Sequence, residues 1–184
     1  MAVQERSALD VAALQAAASA VPDPELPVVT LGDLGIVRGV AVTEGGAVEV
    51  RLTPTFVGCP ATEAIAADVR AAVTARLRDD GAPETEVRTR LVLSPPWSTD
   101  WISDDGRRKL AEHGVAPPTG RRTAGPVLVT IGRRGAGAPA IDDAACPRCG
   151  STDTRELSAF GSTPCQTLRA CRACGEPFGA MKTL

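Results

Sequence analysis

Apolar positions along the N-terminal half of the chain alternate between a helical period and a period of two. Leu9, Val11, Leu14 and Val21 make a broad apolar stripe in an alanine-rich background. That pattern predicts a helix over Ala8–Ala20, capped by Ser7 and stopped by Pro22. Ile36–Val42 and Ala47–Thr53 flank the turn-forming Thr43-Glu44-Gly45-Gly46. Val48, Val50 and Leu52 alternate against Glu49 and Arg51, which predicts a hairpin with one buried face. Ile65, Val69, Val73, Arg76 and Leu77 return to helical spacing over Thr62–Asp80, with Gly81 as the stop. Glu86–Leu93 alternates once more. A third strand parallel to the second makes the intervening helix a crossover. The expected fold is α+β: a small sandwich of a three-stranded sheet packed by helices, spanning residues 1–115.

Beyond the third strand the pattern loosens. Ser94–Trp101 carries both tryptophans, whose rings are costly to expose and are expected to pack over the sandwich or beneath a partner. Ser103 caps a short basic helix that runs to His113. Residues 116–145 are rich in Pro, Gly, Arg and Ala, with one strand-like run at Pro126–Ile131, and are read as a linker.

Residues 146–184 are organised by cysteine. Cys146-Pro147-Arg148-Cys149-Gly150 and Cys171-Arg172-Ala173-Cys174-Gly175 are two near-identical knuckles separated by twenty-one residues, enough for a hairpin. Two cysteines spaced by two residues reach one ion, and the following glycine permits a tight turn that aims backbone N–H groups at the sulfurs. Four thiolates complete a tetrahedral shell, so the expected module is a zinc ribbon with Cys146, Cys149, Cys171 and Cys174 as ligands and Zn²⁺ as structural metal, ahead of iron or a redox dithiol. Cys165 leaves three readings open: a buried residue, a substitute ligand, or a thiol near the metal.

The sixth cysteine stands apart. Cys59 lies in Gly58-Cys59-Pro60, where a strand ends and a helix begins. Pro60 suits the first helical position, which would put Cys59 at or next to the cap and lower its pKa. Packing beneath a turn is the plainer reading of the same residue. Upstream, Val21–Val29 contains three prolines and holds Asp23 and Glu25 in what should be a stiff extended segment, where both carboxylates also suit a turn.

Composition narrows the function classes. The chain has 184 residues and a net charge of −2, with five of its six cysteines in the last forty residues. Crowded cysteines without a signal for secretion point to metal rather than disulfides. The N-terminus has no basic leader before an apolar run and no stretch approaches a membrane span, so a cytoplasmic protein without membrane contact is expected. Residues 1–105 carry sixteen acidic and eight basic side chains, whereas residues 106–136 carry one acidic and seven basic. Arg107, Arg108, Lys109, Arg121, Arg122, Arg133 and Arg134 thus form a basic segment able to meet an acidic surface. A nucleic-acid partner is not expected: the chain is acidic overall, lacks tyrosine and has three phenylalanines. Oxygenase catalysis is also disfavoured, because iron sites of that class need several histidines and His113 stands alone. Nor does Gly132–Gly137 match a dinucleotide fingerprint.

Asp23-Pro24-Glu25-Leu26-Pro27, Leu34-Gly35-Ile36-Val37, Leu52-Thr53-Pro54 and Gly58-Cys59-Pro60 together resemble the small domain of SufT-type iron–sulfur assembly proteins. With the tryptophan loop and the cysteine module, the whole chain resembles a family of accessory components of phenylacetyl-CoA epoxidase systems. The Pro54–Gly58 approach to the cysteine is longer than in many relatives of the domain. The resemblance implies a non-catalytic maturation role in phenylacetate catabolism, with Cys59, Asp23 and Glu25 as working residues handling transient iron or an iron–sulfur cluster. It implies as partners the oxygenase or reductase components. One cysteine cannot hold a cluster alone, so a homodimer or the client must supply further thiolates. A structural adaptor and a zinc-ribbon nucleic-acid binder are the alternatives.

Overall fold

The computed structural model describes residues 9–118 and 144–182. They divide between two compact units, Met1–Trp97 and Ser98–Leu184.

The first unit follows the alternating pattern closely. Helix α1 spans Val11–Ser19, and its cap is Asp10, whose carboxylate accepts from the Ala13 N–H at 3.1 Å. Ser7, the expected cap, lies outside the described residues. Strands β1 (Val37–Val42) and β2 (Val48–Leu52) form the antiparallel hairpin. Its turn closes through Gly46, which donates to the Thr43 carbonyl at 2.9 Å and takes φ +80°. That conformation disfavours a side chain, which is why glycine stands there. Helix α2 (Thr62–Asp79) connects β2 to β3 (Val87–Leu91), which runs parallel to β2. The sheet order is β1-β2-β3.

Core packing sits on one face of this sheet. Val48, Val50 and Leu52 of β2 are buried, as are Ile65, Val69, Val73 and Leu77 of α2 and Leu14 and Ala18 of α1. Each fully buried valine or leucine contributes about 1.5–3 kcal/mol. Arg76, at the edge of that helical stripe, instead pairs with Asp80 at 2.8 Å in the last turn. The three-proline segment departs from the extended path expected of it. It closes on itself through a Pro22–Thr30 bridge, with Asp23 N–H donating to the Val29 carbonyl at 3.0 Å and Leu31 N–H to the Val21 carbonyl at 2.8 Å. Trp97 is buried, and its indole N–H donates to the Leu34 carbonyl at 2.8 Å.

The second unit begins with a 3-10 turn at Thr99–Trp101 and helix α3 (Asp104–Glu112), capped as expected by Ser103 accepting from Gly106 N–H at 2.9 Å. Strand β4 (Val115–Ala116) runs parallel to β7 (Pro177–Met181), and β6 (Gln166–Cys171) joins β7 to the edge strand β5 (Thr154–Ser158). The order is β4-β7-β6-β5. This pairing carries the 98–115 stretch into the ribbon's unit, whereas the sequence pattern assigned it to the sandwich. A two-residue strand has no period, so its ladder was invisible in the apolar pattern.

The basic segment is largely spoken for where it is described. Arg107 donates to the Thr99 and Pro118 carbonyls at 2.6 Å each, while Arg108 pairs with Asp105 and Glu112 and Lys109 with Asp105. Arg121, Arg122, Arg133, Arg134 and the Pro126–Ile131 run lie outside the described residues. No helix among the described residues is long and apolar enough to cross a membrane.

Replacing Trp97 by Phe keeps an aromatic side chain but leaves the Leu34 carbonyl without its buried donor. The expected cost is about 1–2 kcal/mol, read as a lower urea midpoint with an unchanged slope.

Candidate functional site

The loop between β2 and α2 is pinned before it reaches Cys59. Thr53 N–H donates to the Ile36 carbonyl at 2.9 Å, and its hydroxyl donates to the Val92 carbonyl at 2.9 Å. The chain then turns through Phe56–Cys59, closed by Cys59 N–H to the Phe56 carbonyl at 3.0 Å. Gly58 passes close under the Phe56 ring, which an added Cβ would meet at 3.3 Å. Helix α2 starts at Thr62 with Ala61 as cap, so Pro60 sits in the preceding turn rather than in the first helical position. Cys59 is therefore two residues short of the cap that its sequence suggested.

That displacement matters for the thiol. Burial is the largest influence on Cys59 and pushes its pKa up. The Ala61 backbone N–H opposes this, the Glu25 and Asp23 carboxylates reinforce it, and the Thr62 hydroxyl opposes it again. The net direction is upward. The resting group is the thiol, and the expected lowering by the helix end is corrected: near-contact hydrogen bonds survive, but desolvation and two anions outweigh them.

Asp23, Glu25 and Cys59 accordingly share one neighbourhood. Asp23 is buried, and one carboxylate oxygen accepts from both Glu25 N–H and Leu26 N–H at 2.9 Å. Its turn role is thus real, and it fixes the backbone that carries Glu25. Burial raises the Glu25 pKa first, and the Asp23 charge adds to it. The Glu25 and Asp23 charges thus act, after burial, to keep the Cys59 thiol protonated, and the Asp23 charge does the same to Glu25. Thr62 belongs to this site as well. Its hydroxyl donates to the Cys59 carbonyl at 2.9 Å besides assisting the sulfur. Sequence reasoning assigned it only to the helix, although a hydroxyl three residues after a cysteine was the available signal. Val57, two residues before the thiol, stands 84% exposed.

The second centre is the ribbon's. The Sγ atoms of Cys146, Cys149, Cys171 and Cys174 all lie within 4.8 Å of one another. Two of the separations are 3.8 Å (Cys146–Cys174) and 3.6 Å (Cys149–Cys171). A tetrahedral metal with sulfur bonds of about 2.3 Å has sulfur–sulfur edges of about 3.8 Å, so the donor set and spacing suit Zn²⁺. The knuckles repeat one geometry. Gly150 N–H donates to the Cys146 carbonyl and Gly175 N–H to the Cys171 carbonyl, at 2.8 and 3.0 Å, with φ of +74° and +79°. At Cys149 the Ser151 backbone N–H acts downward, but the Cys174, Cys171 and Cys146 thiols and desolvation prevail and push it up to about 12. At Cys171 the Cys174 backbone N–H leads, and the pKa falls to about 7. Sulfurs this close cannot all ionise without a cation among them. Cys165 lies outside this four-sulfur group, beside the Thr163 hydroxyl at 3.0 Å. None of the six cysteines forms a disulfide.

Two outcomes follow from these electrostatics. Glu25→Gln removes one anion facing Cys59, so the thiolate fraction at neutral pH rises and alkylation by iodoacetamide quickens, by about threefold. An unchanged rate would separate Glu25 from the thiol. In the ribbon, Cys149→Ser should lower the bound metal and unfold β5–β7, whereas Cys165→Ser should keep full metal content by elemental analysis.

Comparison with known proteins matches both centres. Residues 12–82 match a family described as iron–sulfur cluster assembly protein, and residues 135–182 match the PaaD zinc beta ribbon domain. A protein of Escherichia coli strain K12, named as the putative D component of 1,2-phenylacetyl-CoA epoxidase, is 39% identical over 166 residues, covering 90% of this chain and 88% of that one. A protein of Porphyromonas gingivalis named "Fe-S protein maturation auxiliary factor" is 36% identical over 88 residues, 48% of this chain and 78% of that one. The crystal structure of a domain of unknown function from Bacillus anthracis is 32% identical with a TM-score of 0.47, covering 54% of this chain and 90% of that one. With a relative at this identity along most of both chains and a ribbon that bears four clustered cysteines, the chain belongs to the PaaD family of phenylacetyl-CoA epoxidase components.

Proposed function

We propose that this protein is a non-catalytic accessory factor that matures a phenylacetyl-CoA epoxidase, handling iron or an iron–sulfur cluster in transit at Cys59. The observation that carries this reading is the convergence of Cys59, Glu25 and Asp23 on one neighbourhood inside the segment that matches iron–sulfur cluster assembly proteins. The names of the relatives, a component of an epoxidase and a maturation factor, support the same role.

Chemistry of the site suits a cargo rather than a resident cofactor. Cys59 supplies one thiolate after losing its proton, and the Ala61 N–H and Thr62 hydroxyl stabilise that form. Glu25, itself reluctant to ionise, lies close enough to neutralise a bound cation. A cluster needs several thiolates. A second copy or the client must therefore complete the shell, and incomplete holding favours release. Asp23 is a positioning residue whose carboxylate builds the turn that presents Glu25. The ribbon holds zinc as a structural metal and gives the second unit a rigid surface toward the oxygenase or reductase components. The whole process belongs in the cytoplasm.

The deciding measurement is the iron and acid-labile sulfide content of the epoxidase oxygenase and reductase components, produced in cells that carry this chain or its Cys59→Ala form. Ribbon zinc serves as the folding control. The expected result is a several-fold loss of iron or sulfide from one client, with the variant's zinc retained. Full loading of both clients would remove the delivery role and leave a structural adaptor.

A further inference from the structure

On the three-stranded sheet, Val48, Val50 and Leu52 face the helices, so Glu49 and Arg51 occupy the opposite face. The register places two rows across that face, Gly39–Arg51–Arg90 and Ala41–Glu49–Arg88. Arg88 is satisfied: it holds Glu86 through two bonds of 2.7 Å and feels Glu49 as well. Arg51 and Arg90 are directly opposed on neighbouring strands and both exposed, and neither forms an ion pair among the described residues. Like charges so placed weaken a sheet. Arg51 leans away across β1, where an added Cβ at Gly39 would stand 2.8 Å from its guanidinium nitrogen.

The surroundings make this pair unusual. Residues 9–97 carry twelve acidic and seven basic side chains, yet the two cations lie together without a bound carboxylate. They also stand one residue before the ends of the parallel strands β2 and β3, at the sheet end from which the Cys59 loop departs. Leu91, opposite Leu52 and so on the other face of the edge strand β3, is 50% exposed at that same end, and Leu93 just beyond it is 57% exposed.

We propose that Arg51 and Arg90 form the docking point for an extended acidic segment of a partner protein laid along the edge strand β3, so that its acidic side chains meet the arginines and its alternate, apolar side chains meet Leu91 on the other face. Naming that partner as the client rests on the delivery reading above; the surface itself does not. Paired guanidiniums bind carboxylates bidentately, and their mutual repulsion is relieved when an anion arrives. Protein is favoured over nucleic acid because the sheet face carries Glu49 and Glu86 and offers no aromatic ring for a base to stack on.

The test uses the full chain with a fluorescent peptide of alternating glutamate and leucine as the probe. Arg51→Gln with Arg90→Gln should weaken binding about tenfold and raise the thermal midpoint by about 1–3 °C. Arg76→Gln with Arg78→Gln, on α2, and Cys59→Ala should leave binding unchanged. Equal loss in both arginine pairs, a lowered midpoint, or tighter binding of oligouridylate at this face would overturn the proposal. So would a concentration-dependent dimer that the Arg51/Arg90 variant dissolves, since the occupant would then be a second copy. Because Cys59→Ala is silent here, a failure of docking is distinguishable from a failure of delivery.

Discussion

Parallel pairing of β2 with β3 is the constraint on which the N-terminal unit depends. Two parallel strands cannot be joined by a tight turn, so the chain must cross from the end of one to the start of the other, and α2 makes that crossing. The connection has to leave the sheet at the carboxyl end of β2. Residues 53–61 therefore project from that end, fastened by Thr53 to the chains on both sides of it, at Ile36 and Val92. Ligand sites in open α/β sheets favour the carboxyl ends of strands for the same reason. Here the loop carries Cys59, and the proline-rich segment supplies the carboxylates.

Electrostatics at that loop oppose the simplest expectation for a cysteine near a helix start. A helix end stabilises a thiolate by its outward N–H groups, and the Ala61 N–H does contribute. Burial and two carboxylates contribute more, so Cys59 rests protonated. Such a thiol is a poor general nucleophile, which suits a protein that must not react indiscriminately. A cation reverses the balance, because the carboxylates that oppose the thiolate then attract the metal. The same three groups thus explain why the thiol rests protonated and, on the delivery reading proposed above, how a cation would be received.

Much of this was legible in the chain itself, for identifiable reasons. Ile65, Val69, Val73 and Leu77 mark α2 within a residue of its ends, and Val48, Val50 and Leu52 mark the buried face of β2, because both periods run long enough to be distinctive. The two knuckles were equally clear, since spacing and glycine position follow from metal geometry. Illegible features depended on contacts distant in sequence. The β4–β7 ladder joins residues more than sixty apart with only two pairs. The closure of the three-proline loop through Asp23 and Val29 overrides the extended bias of its prolines, and nothing local announces it. The sign of the Cys59 shift required knowing that the thiol is part-buried and that Glu25 and Asp23 lie beside it.

The two cysteine centres solve opposite problems with one ligand chemistry. In the ribbon, four sulfurs converge on one point, and backbone N–H groups from Ser151, Ala173 and Cys174 point at them. Such a site gains its stability from closure: every coordination position is filled by the chain, so the metal has no open face and the fold depends on it. Around Cys59 the chain supplies one sulfur, a carboxylate committed to a turn, and another that resists ionisation. No metal is saturated by that set, so affinity there must be shared with whatever approaches it. On the delivery reading proposed above, a closed four-sulfur shell in one module and an incomplete shell in another would keep a cargo from competing for the ribbon's thiolates.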